Sequence, residues 1–288
     1  MVSSEGATRE VHSVFAAAFP DGDVTLLSND DVLFPISSST LSRASPWFRT
    51  MLGLPQNSPE TSGVESVIPV SESSEVLLGL LSMISSISLP TLDNVDSIEP
   101  LLHAAEKYEM TMPIAIIRIA LRTLVDKSPI RVYDMACRMS WEEEAKAAAS
   151  CTLRMDILSE NTATELARLE GPHLMKLLML HERRRKLVAA ALADPNLFNA
   201  GNKFGRRCCD ELEDHTDWWA LKVAWLTKPW NFVCLGREGD ETTAVPSEVE
   251  LMLEGKCPKC SRNFYQKTCT LETLRGVARS LPQTIEWP

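Results

Sequence analysis

Between Asp23 and Leu54 the spacing of apolar positions changes from a period of two to a helical one. Val24 and Leu26 alternate with polar or neighbouring positions, and Val32, Phe34 and Ile36 alternate again, which predicts two strands with one buried face each. Between them, Ser28-Asn29-Asp30-Asp31 supplies side chains that bond their own backbone in turns. Ser45 then stands where it can cap a helix with Pro46 at the first position, where a missing N–H costs nothing. Trp47, Phe48, Met51 and Leu52 form the predicted buried side of that helix. Ahead of the hairpin, residues 1–9 are expected to be disordered. Val11, Val14, Phe15, Ala18 and Phe19 follow at helical spacing until Pro20-Asp21-Gly22 ends the run.

Further along, residues 53–66 form a polar Gly/Pro/Ser stretch long enough to be a mobile loop. Val67-Ile68-Pro69-Val70 is a third strand, and its proline predicts an edge position. Ser73 or Ser74 starts a helix with Val76, Leu77, Leu80, Leu81 and Ile84 on one stripe. Ile98, Leu101, Leu102 and Ala105 carry the next helix. Thr111 as a cap and Pro113 in the first turn open another, with Ile114, Ile117, Leu121 and Leu124 inward.

Two of these stretches resemble the BTB (POZ) family. Asp23-Val24, Phe34, Leu41-Ser42 and Ser45-Pro46-Trp47-Phe48-Arg49-Thr50-Met51-Leu52 are similar to its opening segment. The second stretch is a Leu-rich helix at Leu101, then Ala105-Glu106-Lys107-Tyr108-Glu109-Met110, then a helix led by Pro113. The chain departs from the family at Pro35-Ile36-Ser37, where members often carry Val-His-Lys. The resemblance implies an α+β BTB/POZ fold over residues 20–127, a short mixed sheet flanked by helices, with residues 1–19 as a tail and short helix. It also implies protein partners, through homodimers or hetero-oligomers, and in some members recruitment of a cullin scaffold for ubiquitin ligation. A helix ahead of the domain can join a dimer interface in the family, so Val11, Val14, Phe15 and Phe19 are the candidate interaction surface; a helix packed on its own domain is the alternative. Cullin-binding members usually carry a hydrophobic-x-Glu element near the helix around Val76 to Ile84, and Ser82-Met83-Ile84-Ser85-Ser86-Ile87-Ser88 has no such Glu.

Beyond Lys127 the pattern is almost purely helical. Pro129 to Met139 is one helix, Ser140-Trp141-Glu142-Glu143 reads as a capping box opening an Ala-rich second, and Asn161 as the cap of a third running to Leu169. Gly171-Pro172 precedes a long helix containing Leu174, Leu177, Leu178, Val188 and Leu192. This helical extension, residues 128–198, is similar to that of BTB proteins of the fungal type, without kelch repeats or zinc-finger arrays; no internal repeat is visible. Residues 199–288 form a Trp/Cys-rich helical tail that holds six of the eight cysteines and Trp218, Trp219, Trp225 and Trp230. Trp218, Trp219, Leu221, Val223, Trp225 and Leu226 suggest a helix largely buried against the preceding bundle.

Charge narrows the classes of function. The net charge is −10, and residues 1–125 carry 15 acidic against 6 basic side chains, a net of −9 that leaves −1 for the remainder. Phosphate is repelled by the first half, so nucleic acid is not the expected partner there. Glu5, Arg9, Glu10 and His12 interrupt any apolar leader, and no run approaches the length of a membrane span. Cytosol or nucleus is the expected location, and the cysteines are read as reduced thiols or metal ligands.

Cys257-Pro258-Lys259-Cys260 is the one local metal-type signal. Two thiolates at this spacing on a tight knuckle can face one tetrahedral zinc at about 2.3 Å each, and Lys256, Lys259 and Arg262 favour the thiolate forms. The preferred set is Cys208, His215, Cys257 and Cys260, with Cys209, Cys234 and Cys269 as further candidates; ordinary reduced cysteines are the plain alternative. Such a closed site would stabilise the fold and catalyse nothing. Enzyme signatures are missing: no phosphate-binding Gly-rich loop, no Gly-x-Ser-x-Gly, and His181-Glu182 lacks a second His. Arg183-Arg184-Arg185-Lys186 reads as a solvated helix face, or else as a nuclear-localisation or phosphate patch. Residues 255–279 hold six basic side chains and one acidic one. The expected function is a non-catalytic, oligomerising scaffold or adaptor. The rivals are a transcription regulator contacting DNA through the basic tail, a cullin adaptor, and a hydrolase or redox enzyme using Cys257 and Cys260 as a dithiol.

Overall fold

The Ser28 hydroxyl closes the first hairpin, accepting from Val32 N at 2.9 Å and lying 3.1 Å from Val32 O. The strands it joins, β2 (Val24–Leu27) and β3 (Val32–Ile36), pair antiparallel with Leu26 opposite Phe34 and Val24 opposite Ile36. All four side chains are buried, so the period of two places its apolar set on the core face. Thr25 and Leu27 are buried as well. A sheet with one wet face is therefore corrected at β2, which is central: β3 flanks it on one side and β4 (Ser66–Pro69), parallel, on the other. Pro69 ends an edge strand, where its missing N–H is tolerated.

In this computed structural model residues 9–54, 66–202, 207–209, 211–236 and 245–287 are described. The disorder expected for residues 1–9 and the loop expected over 53–66 fall outside them except at Arg9, Gly53, Leu54 and Ser66, and Ser66 opens β4 instead of closing the loop. The chain forms two compact units, Met1–Leu124 and Val125–Pro288.

In the first unit the four-stranded mixed sheet is completed by β1 (Glu10–Val11), parallel to β3. Val11 was expected in a helix; it is a strand residue because Glu10 and Val11 pair with Val32 and Leu33. The helix α1 starts later, at Ser13–Ala18, after His12 has stacked on Phe34 with ring centroids 4.9 Å apart. Helices α2 (Ser38–Ala44) and α3 (Pro46–Leu52) follow the hairpin, and α4 (Ser74–Ser85), α5 (Val95–Lys107) and α6 (Thr111–Leu124) pack on one another. Two loop carboxylates cap helices distant in sequence. Asp23 receives Ser38 N at 2.6 Å, and Asp30 receives Ser74 N at 2.8 Å, placing a negative charge at the start of α2 and of α4. Bonds from the Ser28 and Ser74 side chains hold Asp30 down to about 2. The Ala105–Met110 segment is a helix stop: Glu109 takes a left-handed φ of 54° and Met110 N bonds Ala105 O at 2.8 Å.

The second unit begins with α7 (Pro129–Arg138) packed on α8 (Glu142–Thr152), then α9 (Glu160–Leu166) and the 23-residue α10 (Gly171–Ala193). The expected capping box at Ser140 is overturned. Ser140 sits at φ 55° as the left-handed stop of α7, with Trp141 N bonded to Ala136 O, so its hydroxyl does not cap α8. Likewise Ser159, not Asn161, precedes α9. The tail adds α11 (Asn199–Asn202), the two-stranded ribbon β5 (Arg207–Cys208) and β6 (Glu211–Leu212), and α12 (Thr216–Thr227). It ends with a 3-10 helix (Pro229–Gly236), α13 (Ser247–Glu254) and α14 (Lys267–Ser280). Its core joins Val188 and Leu192 of α10 to Phe198, Trp218, Trp225, Phe232 and Leu274. Trp218, Leu221 and Trp225 line the buried side of α12, whereas Trp219 and Val223 are exposed, so that helix is amphipathic and not largely buried.

Candidate functional site

Two turns carry the cysteines together. In the β5–β6 ribbon, Cys208 pairs with Glu211 and Cys209 occupies the turn at a left-handed φ of 53°. The other turn is a knuckle after α13: Lys256 and Asn263 bridge antiparallel, Arg262 O accepts from Cys257 N at 2.9 Å, and Cys257 O accepts from Ser261 N at 2.9 Å. Ser261 at φ 57° lets the chain reverse right after Cys260. The four sulfurs of Cys208, Cys209, Cys257 and Cys260 all lie within 4.8 Å of one another, and Cys208 and Cys260 are 3.5 Å apart. Cys257 is buried, while Cys209 and Cys260 reach solvent. The Arg262 N–H, first among several bonds to its sulfur, holds Cys260 down to about 7; bonding to Cys260 pushes Cys208 up to about 12. Four such thiols are compatible with a structural zinc ion.

Of the sequence-proposed ligands, Cys208, Cys257 and Cys260 are brought together and His215 is not. His215 precedes α12, and its Nδ1 lies 2.8 Å from the Tyr265 hydroxyl. The fourth thiol is Cys209. The Cys208-Cys209 dipeptide signalled it in the sequence, but spacing alone does not tell whether adjacent side chains can converge. Cys234 and Cys269 lie outside the group.

The basic run is only partly a solvated face. Arg184 is buried and donates to Pro282 O, and burial lowers its pKa to about 10. Arg183 pairs with Glu286, and Arg185 and Lys186 both approach Glu182, at 2.8 and 3.6 Å. Arg184 is thus taken up within its own unit, while Arg183, Arg185 and Lys186 stay largely exposed.

On the first unit, the proposed interaction residues divide. Val11 and Val14 are exposed, at 47% and 44%. Phe15 is fully buried, edge-on to Phe34, and Phe19 is half-buried and stacked on Phe15. Phe15 is therefore corrected from a surface residue to a core residue. The short α1 is held by β1 and His12 with its inner side toward the sheet. A groove of about 990 Å³ passes His12 and Val14 and runs along Val76 and Leu78 of α4 to Pro100 and Leu101 of α5. Among the described residues no helix is long and apolar enough to cross a membrane.

Residues 20–124 match the family model described as the BTB/POZ domain. No curated protein matches the chain. The hairpin, the flanking helices and the helix stop before α6 all fall inside the matched segment, so residues 20–124 of this chain are a BTB/POZ domain, a protein–protein interaction module without catalytic chemistry of its own.

Proposed function

We propose that the chain is a self-associating scaffold: its BTB/POZ domain binds a second copy or another protein by burying apolar surface, and the thiol cluster of the tail holds a structural zinc that does no chemistry. One observation carries the self-association reading. Val11 and Val14 stand exposed beside the buried Phe15, on a segment whose β1 is an edge strand of the sheet. Paired apolar side chains next to an edge are the surface a partner covers most cheaply. DNA contact and cullin recruitment have less support, because Arg183 and Arg184 are bound within their own unit and Ser82–Ser88 has no acidic residue.

Light scattering of the full chain tests the reading. The wild type is expected at twice its 32.0 kDa chain mass, and Val11→Asp with Val14→Asp at the single mass with unchanged circular dichroism. A wild type that stays monomeric at tens of micromolar removes self-association. A double variant that remains a dimer removes this surface.

A further inference from the structure

We infer that the tail binds one zinc ion through Cys208, Cys209, Cys257 and Cys260, a closed tetrathiolate with His215 left outside it; this rests on the structural-zinc part of the proposed function. Three observations point to this ligand set. The first is span. A tetrahedron with zinc–sulfur bonds of about 2.3 Å has sulfur–sulfur edges of about 3.8 Å, and the four sulfurs, all within 4.8 Å of one another, need only small side-chain adjustment to reach it. They are too close to enclose a cluster of several iron atoms. At 3.5 Å, Cys208 and Cys260 are also much farther apart than the roughly 2 Å of a disulfide bond.

The second observation is backbone preparation on both sides of the site. Each cysteine pair sits on a reversal: Cys209 itself is left-handed in one, and Ser261 directly after Cys260 is left-handed in the other. The knuckle is pinned by two backbone bonds flanking Cys257. Reversals of this kind turn neighbouring side chains toward one point without help from the hydrophobic core. The third is the position of His215. Its Nδ1 is engaged with the Tyr265 hydroxyl, and its ring lies edge-on to Phe264 and Tyr265, so it is held by aromatic side chains and not by the thiol group.

Four thiolates and one Zn²⁺ carry a net charge of −2. Lys256, Lys259 and Arg262, close to the two cysteines in sequence, supply positive charge to offset it, and Lys259 Nζ reaches 3.5 Å from Cys209 O. The ion joins two turns that bracket α12, the 3-10 helix and α13, and so closes a long stretch of chain around the Trp218 and Trp225 core. With Cys209 and Cys260 exposed, the metal is open to chelators from one side.

The test uses the full chain made in zinc-supplemented medium. Elemental analysis is expected to give about one zinc per chain, and zinc-edge absorption fine structure to give four sulfurs at about 2.3 Å with no imidazole scattering. His215→Gln should keep its zinc, and Cys209→Ser should lose most of it. A shell of three sulfurs and one nitrogen, or zinc lost by His215→Gln and kept by Cys209→Ser, overturns the ligand set while leaving a structural zinc in place. No zinc in the wild type, together with no shift of the thermal melt on chelation, overturns zinc itself. The spectrum of the wild type decides the point even where a variant fails to fold.

Discussion

Ser45 has one hydroxyl and two partners. It accepts from Phe48 N at 3.0 Å, capping α3, and donates to Tyr108 O across the domain, with the residue fully buried. Ser45→Ala therefore loses a cap and leaves a buried carbonyl unpaired, which should cost about 1–3 kcal/mol in urea unfolding. The capping half was readable from Ser45-Pro46, because a cap reaches only three residues ahead. The bond to Tyr108 was not, since nothing local says which carbonyl lies overhead. His181 gives a pH test at the same scale. Burial, and to a lesser degree the charge of Arg184, lower its pKa to about 4. The Thr152 hydroxyl donates to Ala149 O at 2.6 Å, so at 3.0 Å the Nε2–H of neutral His181 donates to Thr152. The unfolded chain binds a proton here below about pH 6.5 and the folded chain does not until about pH 4. The contribution is thus complete above pH 6.5 and falls as the pH drops toward 4, by up to about 2 kcal/mol between pH 7 and 5. His181→Gln should flatten that limb in urea titrations at the two pH values. An unchanged slope would place His181 in contact with water.

Among the elements, two glycines of the tail should respond in opposite directions. A Cβ on Gly201 in α11 would lie 2.6–2.7 Å from the indole of Trp218, a fully buried ring with no room to retreat. Gly201→Ala should destabilise the unit by about 1–3 kcal/mol through overpacking. A Cβ on Gly276, exposed within α14, meets nothing within 4 Å. Gly276→Ala should raise stability by up to about 1 kcal/mol, because alanine is the better helix former; paired thermal melts read both. The helices with a clear apolar stripe, such as α4, α5, α6 and α12, were legible because 3.6-residue periodicity is a local property, whereas α13 and α14 of the tail were not read from the sequence. Helix ends were less legible. Ser140 followed by Glu143 has the residues of a capping box, yet Ser140 serves the end of α7, a choice made by its φ of 55° and not by its identity. The edge strand β1 is not legible in the sequence because two residues carry no period. Only the partners Val32 and Leu33 make them a strand.

For the whole molecule, Ser45 lies in the first unit, bonded to Phe48 and Tyr108, and the four thiols lie in the second. The effects of Ser45→Ala and of zinc chelation on unfolding should therefore add to within about 0.5 kcal/mol. A larger coupling, measured by unfolding the variant with and without chelator, would show that the units share stability. The sequence by itself determined what depends on neighbours along the chain: the hairpin, the α3 cap, the helix stop at Ala105–Met110 that carries the BTB/POZ resemblance, and the Cys257–Cys260 knuckle. Tertiary structure decided what depends on which distant segments meet. It placed Phe15 in the core beside Phe34, drew Arg184 out of the basic run toward Pro282, and set Cys209 where His215 was expected. The physical reason is the same in each case. Residue type and spacing fix what a side chain can bond, but a contact across some 50 residues is chosen by the packing of everything between.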